Sequence, residues 1–339
     1  IGFALHSTDR LNARNICGLY SLNLTANGDK LFSHKLDKLD FSTNRYVNHH
    51  VDYLRHKRNR QTFHKSFIRG NNLLAIYNHE ENGYLNVKDD SVYNLEYNAK
   101  DFVGNTSRVE FKVKGDDTKI LAKLSEEQPC DKVFKFSESN YFEANNFHLL
   151  MTENTLYDDL CINYRASSDS NYLSAVHHLM MNYVAVHQYY KLSIAPNQEI
   201  DSMLFSKLLI VKISDNGKVS DLSGEYQEGF VTTRVREFGK FAISFDTTKP
   251  VLKVLTETIK LSKSSSISFK IGDNLSGIKS YSASLDGEWI LSTYKRKRNK
   301  LVVSLSEKEG LTKGSHNLEI EVIDERGNVN KKRLVVNIL

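Results

Sequence analysis

Two groups of residues occur twice in this chain, in the same order, near its opposite ends. Gly18, Ser21, Asn27-Gly28 and Leu31 recur as Gly277, Ser280, Asp286-Gly287 and Ile290, at a constant offset of 259 from 18 to 277. Asn94-Leu95-Glu96, Asp101 and Gly104-Asn105 recur as Asn317-Leu318-Glu319, Asp324 and Gly327-Asn328, at an offset of 223 from 94 to 317. Two blocks, each with its own constant offset, are the mark of two copies of one architecture. The offsets differ by 36, which places an insertion of that length in the first copy.

The repeated residues have a physical task. Asn-Gly and Asp-Gly tolerate the positive φ angles of a tight hairpin turn, and alternating apolar residues lead into both: Tyr20, Leu22 and Leu24 in one copy, Tyr281, Ala283 and Leu285 in the other. In the second block Leu95, Tyr97 and Ala99 precede Asp-x-x-Gly-Asn, and Leu318, Ile320 and Val322 precede its counterpart. Period-two alternation reads as half-buried strand, and Asp followed by Gly reads as turn. Many short strands joined by such turns predict an all-β chain of three consecutive β-sandwich modules, the first and third immunoglobulin- or fibronectin-like.

Residues 1–115 form the first expected module, with a basic insertion at about 43–68 that alone has helical character. Residues 120–247 form a middle β-sandwich with strands at Leu204 to Ile213 and Phe241 to Phe245, the apolar run from Met203 suiting a strand buried on both faces. Residues 250–339 form the third, opening with a strand at Val251 to Val254 that has no counterpart before Ile1. An unpaired sandwich edge is normally avoided, so the expectation is that a longer protein supplies the missing first strand.

A length of 339 residues suits two or three cores, and 40% apolar with 26% charged residues argues against disorder. No apolar run of about 18 residues exists to span a membrane. The net charge of +5 is modest and local. Arg45, Arg55, Lys57, Arg58, Arg60, Lys65 and Arg69 lie in or beside the insertion, among His49, His50, His56 and His64, with Asp52 the nearby acid. Attraction to an anionic partner follows: lipid phosphate, lipopolysaccharide, an acidic glycan or an acidic protein surface. The competing reading is a solvated insertion anchored by Tyr46, Tyr53, Phe63 and Phe67. No nucleic-acid-binding motif accompanies the charge, and nucleic acid is not an expected partner.

Other candidates are weaker. His49-His50 with Asp52, and His177-His178 with His187, lack zinc spacing and read as structural or surface histidines. Asp273-Asn274 and Asp158-Asp159 offer oxygens without an ordered calcium loop and read as turn formers. Lys295 to Lys300 reads as a solvated hairpin loop. Trp289, the only tryptophan, reads as core rather than as a glycan platform. Cys130 and Cys161 can pair, leaving Cys17 free, though spacing alone leaves this open. No catalytic motif is present, and no cofactor or metal is expected in this segment.

Several stretches resemble the non-catalytic carboxy-terminal part of Gram-negative M23-family (LytM-type) metallopeptidase-like envelope proteins. They are Thr8-Asp9-Arg10, Cys17 to Ser21, Lys100 to Thr106, Tyr157-Asp158-Asp159, Phe245-Asp246-Thr247, Gly277 to Tyr281 with Asp286 to Trp289, and, most specifically, Arg45 to Tyr53. The resemblance implies an accessory scaffold or docking region of a cell-envelope protein, periplasmic or outer-membrane-associated and extracellular. Its expected partners are other envelope proteins, an outer-membrane complex among them, with peptidoglycan or lipopolysaccharide as further candidates. It implies, alternatively, part of an active zinc endopeptidase that cleaves peptidoglycan cross-bridges through an upstream domain, where zinc would lie. None of that domain's zinc ligands matches a position in this chain. A glycan-binding module is the third expectation.

Overall fold

A computed structural model describes residues 1–11, 15–116, 130–144, 146–180, 182–256, 260–262 and 264–339. The chain is nearly all β, built of several sheets of short strands as expected of multiple β-sandwich modules. It divides into two compact units, one of Ile1–Ala166, His177–Leu192 and Arg234–Gly239, the other of Ser167–Val176, Ser193–Thr233 and Lys240–Leu339. The expected module boundary near residue 120 lies outside the described residues. No described helix is long and apolar enough to cross a membrane.

In the first unit, five strands lie in the order Tyr77–His79, Asp29–Lys35, Ser21–Ala26, Val92–Lys100, Thr106–Lys114. Leu22, Leu24, Phe32, Leu95, Tyr97 and Ala99 alternate inward and are buried together, with Phe3 and Leu5 packed on them. Ala4–His6 pairs antiparallel with Phe63–Lys65, Leu5 opposite His64. In the second unit, Glu288–Trp289, Ile278–Leu285, Gly314–Asp324 and Val329–Ile338 follow one another in a sheet. That succession matches Asp29–Lys35, Ser21–Ala26, Val92–Lys100 and Thr106–Lys114, so the repeated residues occupy equivalent strands.

The turns match as closely. Asn27 and Gly28 have φ of 52° and 94°, Asp286 and Gly287 of 52° and 85°, the left-handed conformation that the Asn-Gly and Asp-Gly pairs supply. Asp101 Oδ1 accepts from the backbone N–H groups of Gly104 and Asn105, and Asp101 Oδ2 from Asn105 Nδ2. Asp324 repeats this with Arg326, Asn328 and Asn328 Nδ2. Lys295 and Lys300 pair across a hairpin whose loop is a single 3-10 turn, Arg296–Arg298.

Two expectations need correction. Met203 does not begin a buried strand: Ser202–Lys207 is a 3-10 helix whose Asp201 side chain accepts from the Met203 N–H, and Met203 is 79% exposed. The Asp-Ser start signal outcompetes the apolar run, and the buried strand is Leu208–Ile213. Trp289 is not core, being 68% exposed. It lies on a two-residue edge strand opposite Ser284, and alternation gives the buried place to Ile290.

Candidate functional site: the basic insertion and the histidines beneath it

Asp52 starts the helix of the insertion, its side chain accepting from the Arg55 N–H at 3.1 Å. An N-cap followed by Tyr-Leu-Arg-His-Lys-Arg-Asn yields Tyr53–Asn59, which ends at Arg60 in the left-handed conformation, φ 57°. Four cations of the predicted patch therefore share one short exposed helix and its end: Arg55, Lys57, Arg58 and Arg60. Aromatic rings hold three of them. The Arg55 guanidinium lies 4.4 Å over the Phe63 ring, Lys57 Nζ 5.4 Å from the Tyr53 ring and the Arg58 guanidinium 4.2 Å over Tyr183. A cation on a ring face keeps N–H edges available to an anion while its stem is restrained, although the Arg55 Nε edge is already turned to Asp52 Oδ2 at 3.4 Å.

Arg45 and Lys65 have other tasks. Arg45 donates to the carbonyls of His187 and Val186 at 3.3 and 3.4 Å, and Tyr157 Oη donates to the Arg45 carbonyl at 2.7 Å. Tyr46 stacks on His187 at 4.2 Å. Lys65 Nζ donates to the His49 carbonyl at 3.0 Å, and burial holds its pKa below the usual lysine value. These two residues dock the insertion, whereas the helix presents charge. Arg69 also departs from the expectation that Asp52 is the nearby acid: it forms an ion pair with Asp158, distant in sequence.

His49 and His50 diverge. His49 stacks on Tyr157 at 5.4 Å. His50 turns inward, where its Nε2 lies 3.2 Å from His64 Nδ1 and its ring centroid 4.6 Å from that of His34. His34, His50 and His64 are 2%, 2% and 5% exposed. Burial drives all three pKa values down, His34 to about 3, His64 to about 4 and His50 well below its usual value, so the rings are neutral at pH 7. Neither Asp52 nor His49 joins them. His34 follows Phe32 by two on its strand, so an inward position carries an imidazole. That was the available signal, and spacing motifs do not use it.

His177 is buried with its ring 5.0 Å from that of Phe147, and its Nδ1 is 2.8 Å from Tyr164 Oη. Asp273 Oδ2 accepts from the Leu275 and Gly277 N–H groups, the turn role expected of it, whereas Asp159 Oδ1 accepts from the Phe136 N–H, 23 positions away, in a tertiary contact. Asp273 further lies beside Asp246 and Asp324, whose carboxylates likewise receive backbone N–H groups. Cys130 and Cys161 are disulfide-bonded and Cys17 is free.

A Zu5-like domain family model matches residues 131–246, less than half of the chain. No curated protein matches. Among solved structures, the chain is similar to the SGBP-B protein of the Bacteroides ovatus mixed-linkage glucan utilization locus, in complex with a mixed-linkage heptasaccharide. Identity there is 8% and the TM-score 0.19, over 94% of this chain and 61% of that one. The chain thus spans less than two thirds of that protein's length. It is also similar to a 1.5-MDa bacterial ice-binding adhesin concerned with host cell surface retention (9% identity, TM-score 0.18, 96% and 88% covered). A third is a Ca2+-stabilized adhesin of an ice-binding Antarctic bacterium (10% identity, TM-score 0.18, 95% and 91% covered). With scores this low, the fold reading rests on the strands and turns described above.

Proposed function

We propose that this chain is a binding region of a cell-envelope protein, the docking scaffold of an M23 peptidase-like parent, and that its basic helix engages an acidic surface on another envelope protein. The observation that carries the reading is the division of labour within the insertion. Arg45 and Lys65 fasten it through backbone carbonyls, while Arg55, Lys57, Arg58 and Arg60 stand exposed on one short helix. The Arg45–Tyr53 run that carries the family resemblance is the stretch that does the fastening and capping, through Arg45, Tyr46 and Asp52. The Cys130–Cys161 disulfide suits an oxidising compartment outside the cytoplasm.

The test is recovery of partners with the full-length protein from its native envelope, wild type beside Arg55→Glu/Arg58→Glu/Arg60→Glu. An acidic envelope protein that co-purifies in stoichiometric amount, dissociates as salt rises, and is lost in the triple variant is the expected result. Equal recovery by both proteins, at all salt concentrations, overturns the role of the helix.

The exposure of Trp289 favours one second reading, carbohydrate binding at the Glu288–Trp289 edge. Because the chain has one tryptophan, its fluorescence reports on that edge alone. A saturable change on adding envelope glycan, abolished in Trp289→Ala, would support it; a flat titration would end it.

A further inference from the structure

We infer that His34, His50 and His64 form a site for a divalent transition-metal ion, of which zinc fits the donor set best. One ring nitrogen of each lies within 4.8 Å of those of the other two, and all three rings are buried. Nitrogens that share one tetrahedral zinc at ~2.0–2.1 Å stand roughly 3.3 Å from one another. The His50 Nε2 to His64 Nδ1 separation, 3.2 Å, already meets this. Rotation of the His34 side chain brings in the third donor.

The strongest sign is His34. Both of its ring nitrogens are buried without a hydrogen-bond partner. A neutral imidazole carries one donor and one acceptor, and a buried one left wholly unpartnered forfeits the hydration of both. A metal ion at the centre of the three rings gives one of those nitrogens its partner.

The surroundings are also arranged for ligation. His50 Nδ1 is 3.2 Å from Tyr77 Oη, which accepts from Asn72 Nδ2 at 2.9 Å. If His50 carries its proton on Nδ1, Tyr77 Oη accepts it and Nε2 is bare toward the cluster. An outer partner of this kind fixes the tautomer and raises the basicity of a metal-binding imidazole. The neutrality that burial imposes on the rings is the state that binds metal. Imidazole donors without thiolate or carboxylate select zinc, copper or nickel over magnesium and calcium. Three protein ligands leave a fourth position for water or a small anion.

The consequence is a clip. His34 belongs to the Asp29–Lys35 strand of the sheet, whereas His50 and His64 belong to the insertion, so one ion joins the insertion to the sandwich that carries it. The site stands independently of the docking reading, since it involves none of the exposed cations.

Purified full chain, stripped with chelator, is titrated with Zn2+ in a calorimeter and with Co2+ in a spectrophotometer. The expected result is one ion per chain and, for Co2+, the intense visible absorption of a tetrahedral site. His34→Leu replaces the orphaned ring with an apolar side chain suited to a buried position and keeps the fold measurable without metal. It should weaken Zn2+ binding at least 100-fold while leaving the metal-free melting temperature unchanged or higher. Tyr77→Phe, which keeps all three ligands, should weaken binding about 10- to 100-fold. Absence of stoichiometric binding in the wild type overturns the site. So does binding that persists in His34→Leu, which would assign the ion to exposed histidines.

Discussion

The side-chain oxygen of Asn27 accepts a hydrogen bond at 2.8 Å from the backbone N–H of Asn94, tying the first repeated block to the second. The Asn27 N–H returns a bond to the Asn94 carbonyl at 2.7 Å. In the other copy Asp286 and Asn317 repeat both bonds at 2.7 and 2.8 Å. The turn residue therefore does two jobs, adopting positive φ and stapling the hairpin to the neighbouring strand. Asn27→Ala loses the side-chain bond and puts at φ 52° a residue that tolerates the left-handed region less well than Asn. The expected loss is about 1–2 kcal/mol, read as a lower urea midpoint with an unchanged slope. Asn27→Asp retains both functions and should stay near wild type. An Asn27→Ala midpoint equal to wild type would show that the staple contributes nothing.

The copies differ in one respect that pH can expose. Asp286 also bonds His316, with Oδ2 2.6 Å from Nδ1, while Asn27 carries no charge. The hydrogen bond to Asp286 raises the His316 pKa above 6.5; the Asp286 pKa is lowered, by the Asn317 N–H first and His316 second. A raised histidine contributes stability that is complete below the unfolded value, near 6.5, and lost as pH rises through the folded one. A lowered aspartate contributes stability present above its unfolded value and lost as pH falls through the folded one. NMR titration should place His316 above its ordinary value in wild type and return it toward that value in Asp286→Asn. An identical titration in both proteins would mean that the pair does not form in solution.

What could be read from the chain in advance was whatever the local backbone decides. Asn27-Gly28, Asp286-Gly287 and the two Asp-x-x-Gly-Asn turns act over four or five residues, so their chemistry is visible in their own neighbourhood. The alternation of Leu22, Leu24, Leu95 and Tyr97 was visible because a strand's period is two. Trp289 was misplaced because a two-residue edge strand is too short to set its own phase, and the neighbouring Ile290 took the core. Of the histidine cluster only His34 left a local trace, by falling two residues after Phe32 on an inward strand position; its meeting with the other two was not legible. His34, His50 and His64 are separated by 16 and 14 residues and meet only when the insertion folds back, with Val51 bridging to His64. Arg45 with the 186 and 187 carbonyls, and Arg69 with Asp158, are likewise products of tertiary contact.

The disulfide predicts a thiol count. With Cys130 and Cys161 joined, a denatured but unreduced chain should take one alkylating group, at Cys17, and three after reduction. Closing a loop with a sequence separation of 31 stabilises by about 3–4 kcal/mol on the chain-entropy account. Cys130→Ser/Cys161→Ser should therefore unfold at markedly lower urea. Mass spectrometry showing three groups added without reduction would refute the pairing.

Buried neutral histidines should give the protein an acid weakness above the range where most carboxylates titrate. His34 is held down to about 3, and His64 and His177 to about 4, each chiefly by burial. The unfolded chain takes up protons on these rings as pH falls below about 6.5, while the folded chain does so only near 3 to 4. Stability then falls across that whole window, and these groups add no slope above it. His316, with its raised value, acts in the opposite sense and at higher pH, so the two effects separate along the axis. The measurement is urea unfolding of chelator-treated protein from pH 6.5 to 5, where carboxylates contribute little. His34→Leu should reduce the slope of stability against pH by up to one proton's worth, because its ring no longer distinguishes folded from unfolded chain. If the slope is the same in wild type and variant, His34 exchanges its proton freely in the folded state, and the dry, unpartnered environment assigned to it is wrong.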